Sequence, residues 1–249
     1  MIVLDVGNSS VTMARIDTVG ERPDITPCFR LGGGPTPTGD AGYEDLLRAV
    51  TDVRRENEAV VVVSVVPAVT EALLAGLAEV RVVDHRDVSG FAVGVDDATA
   101  TGADRFANMA AAAAMGWSSA LVVDVGTATT FDVLRDGVFV GGLIAPGPAM
   151  AAEALGDRAA RLTPVPFAFM PLVPGRGTSE AMSAGSFHVG IQGVSGVLIS
   201  LRRSLGDPPV VLTGGLAGLV ADPAAGAGLP DDLLVDQDWT LKGAALLAG

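Results

Sequence analysis

Three aspartates in this chain stand beside residues suited to phosphate chemistry. Asp5 lies in Ile2-Val3-Leu4-Asp5-Val6-Gly7-Asn8-Ser9-Ser10, and Asp124 lies in Leu121-Val122-Val123-Asp124-Val125-Gly126-Thr127-Ala128-Thr129-Thr130. The pattern is the same twice: an apolar β-branched run, then Asp-Val-Gly, then small hydroxyl and amide side chains. The glycine lets the chain turn tightly and bring its backbone close to a ligand. The hydroxyls and freed N–H groups beyond it suit phosphate oxygens, and the carboxylate suits a hard cation or a proton. A single aspartate at a strand end also serves as a turn-stabilising cap, so one copy alone leaves both readings open. Two copies, each near the start of one half of a 249-residue chain, point to duplicated lobes facing one nucleotide. The third aspartate is in Gly102-Ala103-Asp104-Arg105. A carboxylate there could take the proton of an alcohol as its oxygen attacks phosphorus, and the arginine could pair with a carboxylate or a phosphate. An Asp–Arg pair is equally at home at a helix start, and spacing alone does not separate the two roles.

The elements that must position these residues follow from periodicity. The runs before Asp5 and Asp124 read as strands buried on both faces. Residues 1–17 read as strand–turn–strand, because Ser9, Ser10 and Thr12 are poor helix formers. A loop is expected through Gly32, Gly33, Gly34, Pro35, Pro37 and Gly39, then a surface helix over 43–56. Strands are expected at 60–66 and 80–83, with a helix over 68–77 that Pro67 can open. An Ala-rich helix over 102–115 ends near Gly116. The second copy continues as a hairpin through Gly137 to Gly141-Gly142-Leu143-Ile144-Ala145-Pro146-Gly147. Helices follow over 150–161 and 179–204, separated by a stretch with Pro164, Pro166, Pro171 and Pro174 that cannot be helical. A strand over 209–212 ends in Thr213-Gly214-Gly215, where missing side chains leave room for a flat adenine or ribose, and a helix over 241–247 closes the chain. The repeat divides the chain into lobes 1–116 and 117–249.

Composition bounds the class of function. Hydrophobic residues make up 49% of the chain and aromatics 4%, which favours small-residue helices on Val-rich sheets. The net charge of −13 repels nucleic acid and anionic lipid, so neither is expected as a partner. Apolar runs such as 60–66 and 110–115 are shorter than the ~20 residues of a bilayer span, and no signal peptide is expected after Met1. Cys28 is the only cysteine, which fits a reducing cytoplasm.

Taken in order, Asp5-Val6-Gly7-Asn8-Ser9, Gly102-Ala103-Asp104-Arg105, Asp124-Val125-Gly126-Thr127-Ala128-Thr129, Gly141-Gly142 with Pro146-Gly147, Thr178 in Thr-Ser-Glu-Ala-Met, and Thr213-Gly214-Gly215 resemble the type III pantothenate kinases. The resemblance implies an α/β fold of two actin-like (ribonuclease H-like) lobes, each a mixed sheet with flanking helices, and a nucleotide in the cleft between them. It implies ATP-dependent phosphorylation of the terminal hydroxyl of pantothenate, the first step of coenzyme A biosynthesis. The alternatives are an actin-like kinase for another small alcohol, or a non-catalytic regulatory relative.

Residue by residue, the resemblance makes Asp104 the catalytic base, with Gly102, Ala103, Arg105 and Thr178 on the acceptor. Asp5 would hold Mg²⁺. Gly7, Asn8, Ser9, Gly126, Thr127, Thr129, Gly214 and Gly215 would hold ATP and its phosphates. Asp124 would serve a monovalent cation, K⁺ or NH₄⁺. The resemblance also implies a homodimer in which Thr178 of one protomer reaches the acceptor bound by its partner. The chain departs from the family pattern at Ser10, Ala14, Val95, Ala98 and Gly177, mostly on the acceptor side. His85 and His188 lack metal-ligand spacing, and Trp117 and Trp239 read as packing residues.

Overall fold

A computed structural model describes residues 1–17, 28–159 and 161–249. In chain order the first elements are β1 (Ile2–Val6), β2 (Ser10–Ile16), β3 (Cys28–Pro35), α1 (Gly39–Val53), β4 (Val60–Ser64), α2 (Pro67–Gly76), β5 (Val80–Val82), β6 (Ala92–Val93) and α3 (Ala103–Ala114). There follow β7 (Ala120–Val125), β8 (Ala128–Arg135), β9 (Val138–Pro146), α4 (Pro148–Arg158), α5 (Thr178–Ser204), β10 (Val210–Thr213), α6 (Ala217–Ala221), β11 (Leu234–Val235) and α7 (Trp239–Ala248). The chain divides into two compact units. One comprises Met1–Ser118, Leu134–Val140 and Asp238–Gly249, and the other comprises Ser119–Val133 and Gly141–Gln237.

The first unit is built on a five-stranded mixed sheet of order β3-β2-β1-β4-β5. β1 pairs antiparallel with β2, placing Asp5 opposite Thr12, and parallel with β4, placing Asp5 beside Val63. Ile2, Leu4, Val6, Val60 and Val62 form one core with Val50 of α1 and with Val69 and Leu73 of α2. Val3, Val61 and Val63 are also buried, on the opposite face, where α7 packs on β1 and β4 and α3 packs on β4. Cover on both faces explains why these strands are continuously apolar. Side chains alternate along a strand, so Asp5 shares the α3–α7 face with Val3.

Two expectations differ here. Gly32, Gly33 and Gly34 lie within edge strand β3, paired antiparallel with β2 through a register shift at Met13/Ala14, and not in a loop. Glycine and Pro35 are tolerated on an edge strand because one side of its ladder faces no partner. The closing helix, expected in the second lobe, belongs to the first unit. A methyl group on Gly243 would run into the Ala107 carbonyl, so α7 lies directly on the backbone of α3. The Trp239 indole N–H donates to the Asn108 carbonyl at 3.1 Å, and the Thr240 hydroxyl donates to Asn108 Oδ1 at 2.9 Å. Trp117 stacks on Trp239 with ring centroids 6.2 Å apart, the packing role expected of both.

The second unit holds β7, β10 and β11 in parallel, with Thr213 beside Asp124, and β8 and β9 continue the sheet from β7. The tip of the β8–β9 hairpin, Leu134–Val140, is part of the first unit, where Val138 and Phe139 pair with Ala92 and Val93 of β6. Leu121, Val123, Val125, Val210 and Leu212 pack against Phe187, Ile191, Val194 and Leu198 of α5, a stripe at helical spacing. Helix α5 is long and apolar enough, by length and composition, to cross a bilayer; this stripe is instead buried on the unit's own sheet. The helix expected over 150–161 runs over Pro148–Arg158, and residue 160 lies outside the described residues.

Candidate active site

The first aspartate turn is a tight hairpin. Gly7 N–H donates to the Ser10 carbonyl at 2.9 Å, and the Thr36 hydroxyl donates to the Gly7 carbonyl at 2.6 Å, which ties the turn to the chain after β3. A methyl group on Gly7 would sit 3.3 Å from the Ser10 carbonyl oxygen, tighter than ordinary contact. Asn8, Ser9 and Ser10 are exposed at the tip, while Asp5 is half-buried behind them. Such a turn offers hydroxyl and amide donors to an anion in front of one carboxylate.

The amino end of α3 lies at the same end of this sheet. Val65 N–H donates to the Val6 carbonyl at 3.1 Å, and a methyl group on Gly102 would meet Val65 Cγ1 at 3.5 Å. That methyl would also collide with the Asp104 carboxylate, so glycine at 102 is what lets this side chain fold over the first turn of α3. Asp104 Oδ1 accepts the Arg105 N–H at 2.9 Å. Burial raises the Asp104 pKa above the ordinary carboxylate value, and it outweighs the hydrogen bond and the Arg105 charge that pull it down. The outcome is a carboxylate short of hydration and more basic than one on the surface. Beside it a cavity of about 480 Å³ opens at the carboxyl ends of β4 and β5, lined by Ser64, Val65, Thr70, His85, Gly102 and Ala103 among others. Its size suits a small organic molecule.

The second unit repeats the turn. Gly126 N–H donates to the Ala128 carbonyl at 3.0 Å, and Gly147 N–H donates to the Thr127 carbonyl at 2.9 Å. A methyl group on Gly147 would clash with the Gly126 carbonyl, so the strand-to-helix corner between β9 and α4 packs onto the turn. Gly214 has φ +92°, and a side chain there would clash with the Asp124 carboxylate. Left-handed backbone and close approach both demand glycine at that point. Gly215 is exposed next to it. Thr129 and Thr213 are fully buried, and their hydroxyls have no hydrogen-bond partner among the described residues. Thr178 is exposed at the first position of α5.

The expected site residues thus gather as two sets, each within its own unit. Gly102 lies against Val65, whose N–H donates to Val6 ahead of the first turn, while Gly214 lies against the Asp124 carboxylate and Gly147 against Gly126 and Thr127. Among the described residues, no three His, Cys, Asp or Glu side chains converge as a metal centre. His188 is structural, with Nε2 2.9 Å from the Met170 carbonyl. Sequence reasoning missed Asp132, a fully buried carboxylate on β8 that accepts the Thr130 hydroxyl at 2.9 Å. It also missed Phe139, whose ring lies 5.4 Å from the Arg105 guanidinium carbon. The alternation of β8 could have exposed Asp132; nothing local marks Phe139.

The chain is similar to known proteins of one family over nearly its whole length. The profile of the type III pantothenate kinase family matches residues 1–199. A type III pantothenate kinase of Rhodospirillum centenum is 34% identical over 262 residues, covering 99% of this chain and 97% of its own. One from an Exiguobacterium species is 31% identical over 257 residues, covering 99% and 97%. A ROK family glucokinase from Streptomyces griseus, solved with glucose and AMPPNP, superposes with TM-score 0.53 at 12% identity and covers 98% of this chain and 97% of its own. At that identity it shows the shared fold, that of the actin-like sugar kinases.

The raised Asp104 pKa makes a stability prediction. The folded state holds this proton more tightly than the unfolded chain. The destabilisation therefore grows as pH rises from the unfolded carboxylate value of about 3.9 to the folded one, and is complete above both. Asp104→Asn, which can still accept the Arg105 N–H, should be more stable than wild type at pH 8, with the advantage gone by about pH 4. Urea midpoints at the two pH values check this. A variant less stable than wild type at pH 8 would contradict the desolvation account.

Proposed function

The chain belongs to the type III pantothenate kinase family, and from that premise we propose that it transfers the γ-phosphoryl group of ATP to the terminal hydroxyl of pantothenate, the first step of coenzyme A biosynthesis. The observation that carries this reading is the desolvated Asp104 carboxylate at the first turn of α3, next in sequence to Gly102 and Ala103, which line a cavity of acceptor size. Pantothenate sits with its hydroxyl at Asp104. The carboxylate takes the hydroxyl proton as the oxygen bonds to the γ-phosphorus, and the bond from that phosphorus to the β,γ-bridging oxygen breaks to leave ADP. A raised pKa makes this proton transfer more favourable than an ordinary surface carboxylate would. Arg105 pairs with the acceptor's carboxylate, and Gly102 and Ala103 line its path.

Gly7, Asn8 and Ser9 contact the terminal phosphates of ATP, as do Gly126 and Thr127, and Gly214 and Gly215 leave room for the adenosine. Two ions complete the proposal. Asp5 is a half-buried carboxylate, which fits Mg²⁺, an ion that usually keeps several waters and takes its remaining ligands from substrate phosphates. Asp124 would hold K⁺ or NH₄⁺. The fit rests on oxygen donors: Thr213 is its register partner, and the buried hydroxyls of Thr213 and Thr129 lack partners of their own. Bound there, such ions neutralise phosphate charge. The protein works in the cytoplasm, with no nucleic acid or membrane partner, in keeping with its net charge of −13.

We further propose a homodimer through α5. Val189 is 76% exposed and Val197 39%, and a shallow apolar hollow of about 680 Å³ runs over Leu143, Gly193, Gly196 and Val197. A second copy of the same helix would cover this face. Thr178 of one protomer then reaches the acceptor bound by its partner.

The direct test incubates the purified chain with ATP, Mg²⁺ and a panel of small alcohols including pantothenate and pantetheine, and identifies products by mass and ³¹P NMR. Phosphopantothenate should form with one ADP per product, faster in potassium than in sodium. Asp104→Asn should lose a factor of ~10²–10⁴ in rate while binding ATP within a few-fold. Transfer only to another alcohol, or ATP hydrolysis indifferent to any acceptor, would overturn the assignment. Equal rates in the two salts would remove the monovalent ion.

The dimer is tested by mixing two inactive variants, Asp104→Asn and Thr178→Val. With a shared site, each mixed dimer carries both lesions in one site and leaves the other whole, so its activity recovers toward half. No recovery despite demonstrated subunit exchange would mean that each protomer builds its site alone.

A further inference from the structure

The cavity at the carboxyl ends of β4 and β5 is lined by neither lysine nor arginine, and most of its polar side chains are spent close to home. The Ser64 hydroxyl accepts the Val66 N–H at 3.1 Å, and the Thr70 hydroxyl donates to the Val66 carbonyl at 3.2 Å. The Thr99 hydroxyl donates to Asp97 Oδ1 at 2.6 Å, and the Thr101 hydroxyl to the Asp97 carbonyl at 3.0 Å. The lining carboxylate of Asp84 is gripped by Arg86, whose Nε lies 3.0 Å from both of its oxygens, and this hold pulls the Asp84 carboxyl down to about 2.

His85 differs from all of these. Its ring is half-buried, with Nδ1 3.9 Å from Asp84 Oδ1, beyond hydrogen-bond reach, and Nε2 bonds to nothing among the described residues. An imidazole nitrogen donates or accepts according to its tautomer, so Nε2 can meet a carbonyl or an N–H alike. A polar nitrogen shut in by a ligand and left unpaired is costly, so a ligand that fits supplies it a partner. The charge around the ring decides what that partner is. Asp84 and Glu71 are carboxylates of the lining. His85 also helps to hold the Asp97 carboxyl below its ordinary value, after the Thr99 hydroxyl and the Thr99 and Ala100 N–H groups. A carboxylate entering here would meet three others, whereas an amide or a hydroxyl meets no such repulsion. We infer that His85 determines acceptor specificity by hydrogen bonding through Nε2 to the neutral amide-and-hydroxyl segment of the acceptor, whose carboxylate stays outside this cavity. The inference rests on the reading of this cavity as the acceptor's, given under the proposed function.

The test compares steady-state kinetics of the full chain on pantothenate and on pantothenol, its analogue with an alcohol in place of the carboxylate. His85→Leu removes both ring nitrogens, with His85→Phe in its place if that variant does not fold; His85→Gln puts an amide near the position of Nε2. The apolar variant should raise KM about five- to tenfold for both acceptors, the range of one hydrogen bond between neutral groups, with kcat within about twofold. Glutamine should return KM to within about threefold of wild type. A KM unchanged by the apolar variant would overturn the inference. So would a loss seen with pantothenate alone, since His85 would then read the carboxylate. A fall in kcat with KM held, or no rescue by glutamine, would overturn it as well, because His85 would then only support the segment between β5 and α3. If wild type phosphorylates a different alcohol of the panel, the reading of the acceptor as pantothenate fails, and the same variants assayed on that alcohol decide this inference. A chain that phosphorylates no alcohol ends both.

Discussion

Burial raises the Asp104 pKa above the ordinary carboxylate value, and the architecture around the acceptor end depends on that constraint. The helix that carries this carboxylate is buried along Phe106, Ala107, Asn108, Met109, Ala110, Ala111 and Ala112. That burial needs α7 close by, and only Gly243 lets α7 rest on the Ala107 backbone. The polar groups this contact would strand are paired: Asn108 receives hydrogen bonds from both Trp239 and Thr240. Gly102 completes the arrangement by leaving the space into which the carboxylate folds. A carboxylate whose ionised form is disfavoured by burial lowers stability, and its retention next in sequence to cavity-lining residues is in keeping with a working acid or base.

The duplicated turns show how one local solution serves two units. In each, the aspartate is on the face of its strand that points away from the main helical cover, with α1 and α2 against Ile2, Leu4 and Val6 in one and α5 against Leu121, Val123 and Val125 in the other. Alternation fixes this: one residue more or less between the apolar run and the glycine would turn the carboxylate into the core. The units differ in what surrounds the aspartate. Asp5 has an exposed tip of Asn8, Ser9 and Ser10, whereas Asp124 has Gly214 against its carboxylate and the buried Thr213 in register beside it. The exposed tip in front of Asp5 and the buried threonine beside Asp124 are why the proposal gives them different ions.

Much of this was legible in the chain itself. The strand–Asp-Val-Gly pattern placed both turns, and the Ala-rich run after Gly102 placed α3 within a residue at either end. The family resemblance rested on the same short stretches, and the full-length relatives bear it out. What stayed hidden was non-local. β3 is a strand because β2 offers it a ladder, although glycine and proline argue for a loop. α7 crosses from the end of the chain to the first unit because of one glycine contact, which no periodicity reveals. Phe139 reaches Arg105 only once the β8–β9 hairpin has folded onto β6, so that contact is invisible before the tertiary fold exists.

The central claim is that Asp104, made more basic by burial, takes the acceptor's proton. The pH dependence of kcat/KM for pantothenate tests it most directly, because that ratio reports the free enzyme's essential groups. The account predicts an acid limb whose inflection lies above the ordinary aspartate value of about 3.9, and the loss of that limb from the residual activity of Asp104→Asn. A rate that stays level down to about pH 4 while the protein remains folded would contradict it, as would an acid limb unchanged in the variant.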